Sequence, residues 1–308
     1  MKHFLRKPYR FGILYSLVLI AAVTYVLLEA FVIPQSMVKV TKTTSSVQLS
    51  TSASGASSDS ASADEGVYTD NSYTDDNISI SISEEYVYDT QVYIVDIQLS
   101  DSSQLKTAFA DDTYGRNIKE TTSEMAESNN AILAINGDYY GFRNDGYVIR
   151  NGELYRDTAG DDNEDLAIMS DGTFKIIEES DTSASSLVEE GALQVLSFGP
   201  ALVNNGAVTV DENSEVDQAK TSNPRTAIGM ISPLHYVIIV SDGRTSESAG
   251  LTLYQLAGLF VEQGCTVAYN LDGGGSTTLW FNGEVINNPT DGKKEGEREV
   301  SDIVYIGY

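Results

Sequence analysis

Three consecutive glycines, Gly273-Gly274-Gly275, stand between an apolar run, Cys265 to Leu271, and an aromatic one, Leu279 to Phe281. Both flanks read as strands. Glycine loses more backbone freedom on ordering than any other residue. Three in a row between strands therefore fit a bend that needs positive φ or that lets another group approach closely. Successive N–H groups in such a bend form a concavity suited to anions. Asp272 at its mouth makes simple attraction of an anion awkward and points to a chemical or cation-linked role. A bulge capped by an aspartate is the structural alternative.

A second constraint lies near the N-terminus. After Lys2, Arg6, Lys7 and Arg10, the stretch Phe11 to Pro34 is apolar except for Ser16, Thr24 and Glu29. About 20 apolar residues span a bilayer as a helix, and the basic flank stays in the cytoplasm. Residues 1–10 are thus expected as a cytoplasmic tail and 11–34 as a single-pass anchor in the cell membrane, with the remainder extracellular. A cleaved signal peptide is the competing reading, but Phe31-Val32-Ile33 offers no small-residue cleavage motif. Residues 35–77 are dominated by Ser, Thr, Ala, Asp and Gly, too poor in apolar groups to offset ordering entropy, and read as a disordered tether. From Ile78 to Tyr308 about 230 residues remain, enough for one sizeable domain or two small ones.

Composition then limits the chemistry. The net charge of −26 repels nucleic acid and anionic lipid, so neither is an expected partner of the outer part, and an anionic substrate must be met by local arginines. With Cys265 as the single cysteine, no internal disulfide can form. Zinc lacks its usual ligands, since the histidines are only His3 and His235. No G-x-S-x-G elbow accompanies His235 for a serine triad. What remains is chemistry by carboxylates, hydroxyls, amides and guanidinium groups.

Four hairpins are expected where Asn-Gly or Asp-Gly joins extended runs: Tyr147 to Tyr155, Ala167 to Ile177, Ala201 to Val210 and Thr278 to Ile286. Capping boxes at Thr121 to Glu124 and Thr252 to Gln255 start two helices. In the second, Leu253, Leu256, Ala257, Phe260 and Val261 recur at helical spacing, and Gly264 ends it. The strands before and after this helix, Tyr236 to Val240 and Cys265 to Leu271, are expected to pair in parallel through a right-handed crossover, bringing their two acidic loops to one end of the sheet. The fold class is α+β: mostly antiparallel sheet with hairpins and a few packed helices, plus the N-terminal transmembrane helix.

Four further polar segments combine with the glycine bend. Asn136-Gly137-Asp138-Tyr139-Tyr140 offers ring faces and hydrogen-bonding groups suited to a sugar. Arg225, just before an apolar strand, can grip a phosphate or carboxylate, or serve as a structural ion-pair partner. In Asp242-Gly243-Arg244 the aspartate either orients Arg244 or ligates a divalent cation, Ca²⁺ or Mg²⁺, with backbone carbonyls, although no recognisable cation loop surrounds it. A lone Arg298 between Glu297 and Glu299 reads, by itself, as a solvated surface residue.

Together these segments resemble the phosphodiester glycosidase family: Asn136 to Tyr140, Gly199-Pro200-Ala201-Leu202, Arg225 to Gly229, Asp242-Gly243-Arg244, Asn270 to Thr277, and Arg298 with Val300, in this order. The chain departs from the family at Glu299, where proline is frequent, and at Asp302, where the family has asparagine. The resemblance implies hydrolysis at the anomeric carbon of a sugar with a phosphate ester as leaving group, on a phosphorylated glycan or cell-surface polysaccharide. It assigns Arg225 and Arg298 to the phosphate, with Arg244 and the N–H groups of Gly273, Gly274, Gly275 and Ser276 alongside. Asp272 is the preferred catalytic carboxylate, with Asp242 and Asp138 as rivals, and Asn136, Tyr139 and Asn270 position the sugar. A non-catalytic surface factor that binds or assembles exopolysaccharide is the alternative from a different class, and cleavage on the phosphorus side is a third.

Overall fold

A computed structural model of the chain describes residues 8–40, 66–160, 163–214, 222–292 and 294–308. Alternation of apolar and polar residues sorts the strands into three main sheets. In order across the largest, the strands are Ala207–Val208, Ala201–Asn204, Val267–Asn270, Arg225–Ser232, His235–Ser241, Thr90–Leu99, Ile78–Val87, Ser72–Thr74 and Val67–Tyr68. A five-stranded sheet follows the order Glu284–Val285, Leu279–Phe281, Leu133–Asn136, Asp302–Ile306 and Leu105–Phe109. The other five-stranded sheet runs Glu153–Arg156, Val148–Arg150, Ala192–Leu196, Glu164–Met169 and Phe174–Glu178.

One face of each sheet contributes to a common core. Ile80, Val95, Ile97 and Ile238 from the large sheet meet Leu133, Ile135 and Val304 from one small sheet and Leu166, Ile168 and Leu196 from the other. The opposite face of each sheet is covered by its own helix. Leu253, Leu256 and Phe260 of helix Leu253–Glu262 pack on Val237, Ile239 and Ala268. Met125 and Ala126 of helix Thr122–Ser128 cover Ala134, Trp280 and Ile303. Ala184 and Leu187 of helix Ala184–Glu189 cover Ile149, Ala167 and Val195. Period-two burial on strands and period-3.6 burial on helices thus meet at every layer.

All four expected hairpins are present, and both expected capping boxes are closed in both directions. The expected parallel pair is not formed: strand Arg225–Ser232 lies between His235–Ser241 and Val267–Asn270 and is antiparallel to each. The hairpin partner, joined by a two-residue turn, occupies the slot that a crossover would have used. The two flanking strands nevertheless run in the same direction, so their acidic loops do emerge at one end.

The expected tether also needs correction at both ends. Gln35–Lys39 is a strand paired with Thr113–Arg116, and Val67–Tyr68 and Ser72–Thr74 extend the large sheet through Ile78–Val87. Tyr73 is buried in the main core, which a tally of polar residues does not reveal. The middle of that segment, residues 41–65, lies outside the described residues. Helix Pro8–Phe31 is long and apolar enough to cross a membrane by length and composition, and its apolar side chains are exposed.

Candidate active site

Two sheets end at the same place. Strand Leu133–Asn136 finishes there while Asp302–Ile306 and Leu279–Phe281 begin, and in the large sheet Arg225–Ser232 begins where His235–Ser241 and Val267–Asn270 finish. Asn136 joins them. Its Oδ1 accepts from Thr226 Oγ1 at 2.8 Å and the Thr278 N–H at 3.2 Å, while Nδ2 donates to the Asp272 carbonyl at 2.7 Å and to that of Gly137 at 3.2 Å. An amide offers two donor hydrogens and two lone pairs, so this fully buried side chain is saturated. It fixes the Asp272 backbone and is not exposed to a sugar. Asn270 is likewise enclosed, donating to the Gly199 carbonyl at 2.9 Å.

The glycine bend is hemmed in by three guanidinium-bearing residues. A methyl group on Gly273 would come within 2.9 Å of the Pro224 carbonyl, next to Arg225; on Gly274, 2.7 Å from Arg244 Nη2; and on Gly275 it would overlap the Arg298 guanidinium and meet Asp291. Gly274 also has φ +63, a conformation that disfavours any side chain. The bend is not, however, an open ring of donors. The N–H of Gly273 donates to Asp272 Oδ1 at 2.9 Å, that of Gly274 to the Pro224 carbonyl at 2.9 Å and that of Ser276 to the Gly273 carbonyl at 3.2 Å. Guanidinium groups, rather than these N–H groups, supply the positive charge around the bend.

Beside the bend lies a cleft of about 330 Å³, whose wall includes Asp138, Tyr139, Asp272, Ser276 and Arg298 from the expected set, with Lys119 and Asp291 added. Two larger hollows of about 460 Å³ each lie along strand Leu105–Phe109, away from the bend, so size alone does not locate the chemistry. Asp272 is half-buried. Loss of solvent holds its carboxyl above the ordinary carboxylate range, against the opposing pull of the Ser276 hydroxyl, the Arg298 and Arg143 cations and the Gly273 N–H. Arg298 donates through Nε to Asp291 Oδ1 at 3.0 Å and through Nη2 to the same oxygen, and this cation holds Asp291 below its usual range. Tyr139 is exposed at the rim, its ring stacked on Phe142 with centroids 4.7 Å apart and the Arg143 guanidinium 6.0 Å away.

Arg225, Arg244 and Asp242 are not part of this wall. Arg225 is buried, donates through Nε to the Leu251 carbonyl at 3.0 Å, and is drawn down to a pKa of about 10 by burial and by Arg244, which leaves it a cation at neutral pH. Arg244 is exposed and donates to Asn223 Oδ1 at 3.1 and 3.2 Å. Asp242 does not line the cleft: its oxygens accept from the Asn288 N–H at 2.8 Å, Asn287 Nδ2 at 3.3 Å and the Tyr93 hydroxyl at 3.3 Å. Burial raises its pKa despite these donors. Its role is to hold the 287–288 segment, whose Asn287 also donates to the Thr277 carbonyl at 3.2 Å. Among the described residues no three His, Cys, Asp or Glu side chains converge as a metal site.

Asp138 is committed elsewhere. Its Oδ2 accepts from Arg150 Nη2 at 2.8 Å and the Ser197 N–H at 3.0 Å, and its Oδ1 from the Tyr140 N–H at 2.9 Å. Arg150 also donates to Asp302 Oδ2 at 2.8 and 3.1 Å, so one fully buried guanidinium serves two buried carboxylates. Burial and the neighbouring Asp138 raise the Asp302 pKa. Sequence reading assigned no role to Arg150 or Asp291, noted Asp302 only as a departure from the family, and carried Thr226 only as part of the segment Arg225 to Gly229. The available signal for Arg150 was a lone cation closing the apolar run Val148-Ile149 in an acidic chain.

The family model of phosphodiester glycosidases matches residues 129–307. The SPbeta prophage-derived protein YomE of Bacillus subtilis (strain 168) is 35% identical over 202 residues, 63% of this chain and 31% of that protein. The N-acetylglucosamine-1-phosphodiester alpha-N-acetylglucosaminidase of Bos taurus is 27% identical over 207 residues, 61% of this chain and 39% of the relative. The chain thus spans well under half the length of these curated relatives. Among solved structures, the zebrafish N-acetylglucosamine-1-phosphodiester alpha-N-acetylglucosaminidase catalytic domain auto-inhibited by pro-peptide has the same fold, with TM-score 0.60, 24% identity and coverage of 75% of this chain and 83% of that one. The matched stretch takes in the strand before Asn136, the glycine bend and the last strand, and by it the chain belongs to the phosphodiester glycosidase family.

Proposed function

We propose that the chain is a hydrolase of sugar 1-phosphodiesters, anchored in the cell membrane by helix Pro8–Phe31 with its catalytic domain outside. The observation that carries this reading is the placement of a half-buried carboxyl, Asp272, in one cleft with Arg298. The name borne by the bovine relative supports the substrate class. In this reading the sugar stacks on Tyr139 and the phosphate lies toward Arg298 and Arg244. Arg225 supports the bend from behind and adds positive potential without touching substrate. Water attacks the anomeric carbon with Asp272 as base, and the bond from that carbon to the phosphate oxygen breaks. Phosphate is a good leaving group, so stabilising its charge matters more than protonating it.

Asp272→Asn tests the assignment. With GlcNAc-1-phosphate esters as substrate, release of reducing sugar is expected to fall about 10²–10⁴-fold. The melting temperature should hold or rise, because the amide removes a carboxylate that is costly to bury. An unchanged rate would remove Asp272 from the chemistry. Polymer binding by a wild-type protein that shows no turnover would favour the exopolysaccharide-binding role instead. In ¹⁸O water the label is expected in the sugar, and label in the phosphate would mean attack at phosphorus.

A further inference from the structure

The end of the apolar helix is clasped by the domain beside the cleft. Asn117 Nδ2 donates to the carbonyls of Ala30 and Ile33, both at 3.2 Å. The chain then enters strand Gln35–Lys39, paired with Thr113–Arg116 so closely that a side chain on Gly115 would overlap the Gln35 carbonyl. Val40 packs on the cluster of Phe109, Tyr114, Tyr140 and Val148. The same Asn117 donates its N–H to the Gly141 carbonyl at 3.2 Å, in the loop that carries Tyr139, and Lys119, two residues on, lines the cleft. Two residues of extended chain span at most about 7 Å. A helix that ends at the bilayer surface therefore sets the cleft at that surface.

The rim has the matching chemistry. Exposed Tyr139, its stacked neighbour Phe142 and Arg143, 5.2 Å from the Phe198 ring centroid, form an aromatic and cationic edge. Such residues favour the headgroup layer. Lys119 and Arg298 line the cleft as ion pairs, Lys119 with Glu299 at 3.2 Å and Arg298 with Asp291, so the edge that faces the headgroups is that of Tyr139, Phe142 and Arg143.

We propose that the substrate is presented from the bilayer: a sugar 1-phosphodiester whose second ester is to a lipid alcohol. The proposal rests on the anchored-hydrolase reading above. Water adds its oxygen to the anomeric carbon, the bond to the phosphate oxygen breaks, the free sugar departs, and a lipid phosphate monoester carrying the second water proton stays in the membrane.

The test uses the full chain in phospholipid vesicles and two probes. One is a long-chain alkyl ester of GlcNAc-1-phosphate embedded in the same vesicles, and the other is its methyl ester in water. Wild type is compared with a variant that combines Asn117→Ala with a flexible Gly/Ser insertion of about 20 residues between Pro34 and Gln35, which spans roughly 25 Å. Losing the fixed height lowers the effective concentration of membrane-held substrate. Turnover of the embedded ester is expected to fall about tenfold, with the methyl ester unaffected. An embedded ester cleaved equally well by both proteins overturns the proposal.

A fluorophore on Glu299→Cys, at the cleft, and another on Ser103→Cys, beyond the opposite end of strand Leu105–Phe109, give a readout independent of turnover. Headgroup-attached quenchers are expected to dim the first and spare the second, and equal quenching also overturns the proposal. Wild type that cleaves neither ester while the Glu299 label is quenched defeats the hydrolase reading and leaves the placement standing. Failure to float with vesicles defeats the anchor.

Discussion

Arg150 neutralises only one of the two carboxylates that it holds, so the knot at Asp138 and Asp302 carries a net negative charge when all three ionise. Removing the cation by Arg150→Met leaves both carboxylates buried and unpaired, and is expected to cost about 3–5 kcal/mol in denaturant titrations. Asp302 has a definite pH signature. Its folded pKa lies above the unfolded one, so the folded state binds the extra proton, and stability falls as pH rises from the ordinary carboxylate value toward the raised one. Wild type is expected to melt at a lower temperature at pH 8 than at pH 5, and Asp302→Asn to reduce that difference. The bend that follows Asp272 was legible because its three glycines advertise it locally. The contact between Arg150 and Asp302 joins residues 152 apart, and nothing local in the sequence announces it.

At the level of elements, legibility followed the range of the interaction. The turns at Asn151-Gly152, Asn205-Gly206 and Asn282-Gly283 place both residues at positive φ, which is the preference that made these hairpins readable. Asp171-Gly172 differs, with only the glycine at positive φ, yet it still joins the expected strands. The caps are equally local. Thr252 accepts from the Gln255 N–H at 3.1 Å, and Gln255 Oε1 accepts from the Thr252 N–H at 2.9 Å. Thr252→Ala is expected to destabilise the protein by about 1 kcal/mol, read as a lowered thermal midpoint. Strand order was the part that failed, because a crossover neighbour and a hairpin neighbour compete for the same edge, and the hairpin partner Arg225–Ser232 holds it.

For the molecule as a whole, the revised boundary gives a direct comparison between a fragment beginning at residue 66 and one beginning at residue 78. The shorter fragment loses Tyr73, buried in the main core and 4.5 Å from Tyr68 between ring centroids. It also loses Asp75, which accepts from the Ile78 N–H at 2.7 Å. Its unfolding free energy is expected to be lower by about 3–5 kcal/mol, the range for deleting a buried aromatic side chain, in parallel urea titrations. The order of the large sheet carries a consequence for biosynthesis. Strand Val267–Asn270 is the shared neighbour of Ala201–Asn204 and Arg225–Ser232. A nascent chain emerging from its N-terminus therefore leaves the inner edges of both strands unpaired until residue 270 is out. Those open edges invite pairing with another chain, so maturation requires late closure of the sheet, under whatever protection holds the unfinished polypeptide apart from its neighbours.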